Sequence, residues 1–329
     1  MLQTPLCALL GIRYPLCQAG MATYTSPALV AAVSGAGGLG VHGGLGRDAA
    51  TLRTLIDETR RLLRGEPFGV NHVIERIDED AFACCLAERV PVICLSWGDP
   101  GPWARRAHAA GARVIAQVTT VAEVPTALAA GVDAIVAQGT EGGGHSGFMP
   151  LAALLPAVVA AAGAVPVLAA GGLVDGRGLA AALALGAAGG WLGTRFLATP
   201  EAPISAAWKA AIVAAGPGDT VHTGAFDLLW GRPWPGAHVR AIGNRFTDEW
   251  AERPEALRAH HSPVQEAVWR AEREDDPRLI ALMAGSGVGA IGDLRPAGEL
   301  VATIVAEAVA AIGRLAGFVT TGAASESGG

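Results

Sequence analysis

The sequence predicts an α/β fold: a closed (β/α)8 TIM barrel with a smaller cap inserted near its C-terminal third. Three observations point there. Over the first two thirds of the chain, eight short apolar or β-branched runs, at 15–18, 39–41, 68–71, 91–95, 113–118, 134–137, 166–169 and 190–193, are each followed by a helix-like window. The runs are apolar on both faces, as a parallel sheet covered by helices requires. Gly and Pro punctuate the joints, and eight βα units fit a closed barrel better than an open doubly wound sheet. The open alternative also expects G-x-G-x-x-G after its first strand, where this chain has Gln18-Ala19-Gly20-Met21.

Taken in order, the elements carry their own signals. The helix after the first run has Ser26 as N-cap, Pro27 at its first position, an apolar stretch at 29–33, and Gly35 beyond its end. The longest apolar stretch, 151–170, contains Pro156 and Pro166 and is expected to be a helix followed by a strand rather than a membrane span. After Phe196 the rhythm stops. Residues 199–284 hold Trp208, Trp230, Trp234, Trp250 and Trp269, five of the eight Trp, before a glycine loop at 285–289 and an apolar helix near 300–315. The expected organisation is a barrel of 1–198 plus 285–321, a cap of 199–284 over the barrel mouth, and a Gly/Ser-rich tail at 322–329.

Composition narrows the partners. The 329 residues carry 24 Lys+Arg against 30 Asp+Glu, a formal net charge of −6, with no basic block to meet a phosphate backbone. A mean hydropathy of +0.38 comes mostly from Ala. No basic n-region precedes a long apolar run at the N-terminus, so no cleaved signal is expected and the cytoplasm is the default. Five Cys without a CxxC fit buried reduced thiols better than a disulfide frame or a zinc site. No spacing of His, Cys and Asp predicts a metal.

In such a barrel the active site lies at the C-terminal ends of the strands. After the seventh run stand Gly171 and Gly172, and after the eighth Gly193 and Thr194. Free backbone N–H groups at this pair of loops suit a phosphate, although tight turns alone would also use glycine. Asn71, Gln117 and Gln138, near the ends of three other runs, are neutral amides that both donate and accept. They suit the edge of a heteroaromatic ring, and equally suit an ordinary barrel layer. The sharpest local feature is Gln138 through Gly147, where Gly142, Gly143, Gly144 and Gly147 surround His145. That setting presents an imidazole able to move a proton. His42 and His72 are the other histidines expected nearest the site.

These motifs, together with the glycine loops at 34–40 and 284–289 and the segment 68–71, resemble the nitronate monooxygenase family, formerly the 2-nitropropane dioxygenases. The resemblance runs in order along nearly the whole chain. It departs from the family's usual Pro at Gly20, Ala at or beside Gly142, and Gln at Ser286. It implies an FMN-dependent oxidoreductase in which Ala19, Gly20 and Met21 pack beside the isoalloxazine. Asn71, Gln117 and Gln138 would reach the ring edge or ribityl chain, with Gly143 and Gly144 alongside. Gly171, Gly172, Gly193 and Thr194 would hold the phosphate, and His145 would be the catalytic base or donor. Trp230, Arg232, Trp234 and Ser286 are the expected substrate contacts. The implied reaction oxidises a nitronate or related carbanionic substrate with dioxygen to a carbonyl compound and nitrite. Two alternatives stand beside it: an FMN-dependent enoyl-acyl-carrier-protein or quinone reductase using NAD(P)H, and a family member repurposed in a biosynthetic pathway with its monooxygenase activity lost. The expected partners are a small-molecule substrate and dioxygen, with a homodimer left open, and neither nucleic acid nor membrane.

Overall fold

A computed structural model describes residues 2–319. Eight parallel strands form the expected barrel: β1 (Leu16–Gln18), β2 (Gly40–Gly43), β3 (Phe68–Val73), β4 (Val92–Ser96), β5 (Arg113–Val118), β6 (Ala134–Gln138), β8 (Val167–Ala170) and β9 (Gly189–Leu192). Between β6 and β8 the chain makes one further short strand, β7 (Gly144–Ser146), which leaves the barrel. The barrel order runs β2-β3-β4-β5-β6-β8-β9-β1. All eight runs read from the sequence are strands, displaced by at most two residues at either end. The helix Pro27–Gly35 begins as expected, the Ser26 hydroxyl accepting from Leu29 N–H at 3.0 Å, but Gly35 is its last residue rather than lying beyond it.

Closing the ring requires β1 to meet β2, and β1 is only three residues long. The backbone makes the single bridge Cys17 to Leu39, in which Gln18 N–H donates to Leu39 O at 2.9 Å and Leu39 N–H donates to Leu16 O at 3.0 Å. The next rung is supplied by a side chain. The fully buried amide of Gln18 accepts from Val41 N–H at 3.1 Å and donates to Val41 O at 3.0 Å, and so mimics a backbone neighbour. The same amide donates to Ala19 O and thereby ties the first loop of the barrel mouth to the seam.

The barrel interior is packed. Cys17, Leu39, Val41, Val92, Cys94, Ile115, Ala134, Val136, Leu168, Ala170 and Trp191 fill it, and Leu6, Cys7 and Leu10 of the N-terminal helix Pro5–Leu10 plug its lower end. All five thiols are free and buried; burial pushes the Cys85 thiol up to about 12 and also raises the Cys17 and Cys94 thiols well above an exposed thiol. The last helix, Ala297–Ala316, packs on the helices Gly176–Ala184 and Pro27–Gly35. Its buried residues Ala297, Leu300, Val301, Ile304, Ala308 and Ala311 follow the spacing of one helical face. Residues 320 and 321 of the expected barrel segment, and the expected tail 322–329, lie outside the described residues.

Over the mouth stands the cap, built on β10 (Thr220–Thr223), β11 (His238–Ile242) and β7 in one antiparallel sheet. Phe226, Leu229, Val239, Ala241, Phe246, Trp250, Leu257 and Val268 form its core, with Phe226 and Phe246 stacked at 4.5 Å. The cap sheet thus draws a strand from outside 199–284. Its edge is the glycine-rich segment that follows β6.

Replacing Gln18 with Leu keeps the bulk but orphans the N–H and C=O of Val41. Each orphaned buried group costs roughly 1–3 kcal/mol. Denaturant unfolding of Gln18→Leu should show a midpoint lowered accordingly at unchanged slope; an unchanged midpoint would mean that the seam does not depend on this amide.

Candidate active site

The C-terminal strand ends and the cap enclose a cavity of about 620 Å3, within the usual size range for ligand and cofactor sites. Ala19, Gly20, Met21, Asn71, Gln117, Gln138, Gly143, Gly144, His145, Gly171, Gly172, Gly193 and Thr194 all line it. So do Trp230, Arg232 and Trp234. Ser286 does not: its side chain is exposed and its N–H donates to Glu141 O at 2.9 Å. Trp191, shared with the packed barrel interior, forms the floor.

Each wall has a local cause. Gly20 lies so close to β2 and β3 that a Cβ there would meet Asn71 Cβ at 2.5 Å and His42 O at 2.9 Å. Gly171 and Gly172 have φ of +110° and +71°, a backbone that side chains other than glycine adopt only under strain. A Cβ on Gly193 would meet nothing nearer than Met21 Sδ at 3.6 Å, so this backbone is open on its cavity side. Thr194 Oγ1 accepts from Gly285 N–H at 2.9 Å, which leaves the hydroxyl proton free to donate. Gln117 donates to Gln138 Oε1 at 3.0 Å, leaving the Gln138 NH2 and the Gln117 carbonyl for another partner. Among the described residues the Asn71 amide has no side-chain hydrogen bond.

The segment after β6 is held from several sides. Gly139 N–H donates to Ala170 O at 2.9 Å, the Glu141 carboxylate accepts from Leu151 N–H at 3.0 Å, and Arg240 Nε donates to Thr140 O at 2.7 Å. β7 then pairs His145 with Val239 of β11. His145 Nε2 lies 2.7 Å from Asp227 Oδ1, and the imidazole stacks on Trp234 with ring centroids 3.9 Å apart and planes 20° apart.

Three contributors escaped the sequence reading. Asp227 sits in the short cap helix Ala225–Trp230, where a lone acid in an apolar hexapeptide was the available signal. Arg76 follows β3, a strand-end position that the barrel rule flags. Its guanidinium lies 4.7 Å from the Trp234 ring centroid, and its Nε is buried with no hydrogen-bond partner among the described residues. Trp97, at the end of β4, meets Trp234 edge-on at 5.5 Å and has φ +58°, an outlier for an aromatic residue. Arg232 is exposed at the rim, and Trp269 shares that outer position. His42 and His72, expected near the site, are instead buried in the barrel wall and line no part of the cavity. Desolvation holds them at about 3 and about 4.

Comparison with known proteins settles the family. The model of the nitronate monooxygenase family matches residues 3–83 and 78–307. The chain belongs to the nitronate monooxygenase family. A probable nitronate monooxygenase of Staphylococcus aureus (strain Newman) is 32% identical over 90% of this chain and 95% of its own. Among solved structures, FabK from Thermotoga maritima superposes with a TM-score of 0.86 at 33% identity, covering 97% of this chain and 100% of that one. A nitroalkane oxidase from Streptomyces ansochromogenes superposes with a TM-score of 0.82 at 31% identity, covering 94% and 99%.

As a nitronate monooxygenase family member the chain is an oxidoreductase. The cavity fits the flavin that membership implies: its lining combines uncharged amides with free valences and a glycine-backbone cradle with a threonine hydroxyl. Among the described residues no group of His, Cys, Asp and Glu is arranged to hold a metal.

The two buried histidines give a pH prediction. Folded, they stay neutral down to about 3 and 4, whereas in the unfolded chain they protonate near 6.5. Between these values the unfolded state binds more protons, so their contribution is fully present above pH 6.5 and is lost as the pH falls. The acid limb of stability should steepen by up to about 1.4 kcal/mol per pH unit for each imidazole. His72→Phe should flatten it, and an unchanged limb would assign it to carboxylates.

Proposed function

We propose that the enzyme holds FMN in this cavity and oxidises a nitronate, or a nitroalkane after proton removal, with dioxygen to a carbonyl compound and nitrite. The observation that carries this is the His145–Asp227 pair at 2.7 Å on the wall of a cavity lined by the glycine loops. When bound, the flavin supplies the two-electron redox chemistry. Gly171, Gly172, Gly193 and Thr194 would hold its phosphate, and Asn71, Gln117 and Gln138 its polar edge. The neutral amides orient without adding charge. His145, whose Nδ1 has no protein partner among the described residues, takes the α-proton of a neutral nitroalkane, the C–H electron pair remaining on the substrate as the nitronate. Trp97, Trp191, Trp230 and Trp234 restrict water around the reacting carbon.

One experiment tests the chemistry. The protein is mixed anaerobically with a nitronate, a nitroalkane, NADH and NADPH in separate runs, with mass spectrometry of the heat-released ligand. FMN, bleached by the nitronate, is expected; bleaching by a nicotinamide instead would move the enzyme to the reductase alternative. His145→Ala should lose about 10²–10⁴-fold with the nitroalkane and much less with the preformed nitronate. Equal losses would make His145 a binding group only.

The cation placed to meet an anionic substrate is Arg76 more than Arg232, because it is less exposed and its guanidinium is fixed over Trp234 on the cavity wall. Arg76→Gln should raise KM for a carboxylated substrate with little change in kcat, while Arg232→Gln should chiefly increase sensitivity to salt. An unchanged KM in Arg76→Gln would assign the guanidinium to packing against Trp234.

A further inference from the structure

We infer that Asp227 is a positioning residue that fixes the tautomer of His145, so that the cap completes the base at the barrel mouth. The inference rests on the proton-abstraction reading above and adds a residue to it. A carboxylate only accepts hydrogen bonds, so the nitrogen facing Asp227 Oδ1 at 2.7 Å, Nε2, carries the ring proton. A neutral imidazole has one N–H, and the lone pair is therefore on Nδ1. The Trp234 indole, stacked at 3.9 Å, fixes the plane of the ring while Asp227 fixes its rotation.

Asp227 has no competing duty. Its side chain is 8% exposed, and its only ion-pair partner among the described residues is His145. Its neighbours Phe226 and Leu229 are anchored in the cap core, which makes the carboxylate a fixed point rather than a loose surface acid. When Nδ1 takes the substrate's proton, the C–H bond breaks and its electron pair stays with the nitronate. The ring becomes a cation beside a charge already in place. The two partners are 82 residues apart, one on the β7 edge and one on a cap helix, and they meet because β7 is a strand of the cap sheet.

Other charges also face this imidazole. Arg76 lies over Trp234, and Arg232 and Glu272 line the mouth. Around β7, Glu141 bonds Leu151 N–H, and His222 bonds Ser146. His238 pairs with Ser146, so by strand alternation it and Arg240 take the sheet face opposite to His145. None of these lies at hydrogen-bond distance from the ring among the described residues, which leaves the Asp227 carboxylate as its one bonded charge.

The test uses the flavin-loaded enzyme with 15N-labelled histidine. In the wild type, the ring shifts of His145, identified by their loss in His145→Gln, should show a protonated Nε2 and a bare Nδ1; a proton on Nδ1 overturns the proposal without any variant. Asp227→Asn should shift the tautomer and lower the pH at which the base limb of kcat/KM titrates. Its nitroalkane rate should fall about 10²–10⁴-fold, against less than tenfold with the preformed nitronate. Flavin content and melting temperature report whether it has folded. A folded Asp227→Asn with the wild-type tautomer and pH profile, or with equal losses on both substrate forms, overturns the inference. If His145→Ala oxidises nitroalkanes normally, the base assignment fails, while the ring shifts still decide whether Asp227 sets the tautomer.

Discussion

The site depends on one pairing, that of β7 with β11. Three residues of the segment after β6 leave the barrel and become the edge of the cap sheet, with His145 opposite Val239. One short stretch therefore does three things: Gly142, Gly143 and Gly144 form a wall of the cavity, His145 turns toward the mouth, and the backbone fastens the cap to the barrel. Glycine is what allows this. A Cβ on Gly143 would stand 2.6 Å from Gly285 N, so only a bare backbone lets this segment pass the loop before the last helix. A sheet shared between two parts of the chain cannot slide by one residue without turning His145 to the opposite face.

The same economy governs charge. Desolvation in the barrel wall and interior disfavours the charged forms of His42 and His72 and of the Cys17 and Cys94 thiols. The buried guanidiniums of the barrel, Arg47 and Arg195, are each held by partners: Arg47 donates to Gly43 O and Thr25 O, and Arg195 pairs with Asp293. Asp227, Arg76, Arg232 and Glu272 carry formal charge at the mouth. Below them the cavity is lined by amides, glycines and indoles. A ligand that carries its own charge at one end meets fixed dipoles rather than opposing ions, and the polar groups that receive it need no reorganisation.

The barrel was legible in the sequence because its strands are short apolar runs, several of them ending at or just before a glycine or an amide, as at Gln18, Gly43, Gln138, Gly171 and Gly193, which are local signals. The cavity glycines were legible for the same reason. What was not legible depends on pairing across distance. β7 is three residues long and gains its identity only from β11, about a hundred positions later, so no periodicity marks it. Asp227 looks like an ordinary acid in a short helix until the fold sets it against His145. His42 and His72 fail in the opposite direction: alternation along β2 and β3 turns both side chains out to the helix layer, where they meet Thr59 and Phe82, and their closeness in sequence to Asn71 and Gly44 carried no information about face. Ser286 lies between the lining glycines Gly285 and Gly287 yet is exposed and lines no part of the cavity. Position next to a loop does not fix the direction of a side chain.

Trp234 joins these threads. It belongs to the small apolar cluster with Val73 and Ala237 that lies between barrel and cap, rather than to the cap core. It also carries His145 on its ring, has Arg76 over it, and meets Trp97 edge-on. The two readings open to an indole here, a packing residue or a wall of the substrate site, are therefore not alternatives. The contacts that bury it are those that set the plane of the imidazole and the place of the nearest enclosed cation. A change at Trp234 would therefore release the imidazole plane and the guanidinium together, whereas Asp227 reaches the imidazole from its other edge, through Nε2.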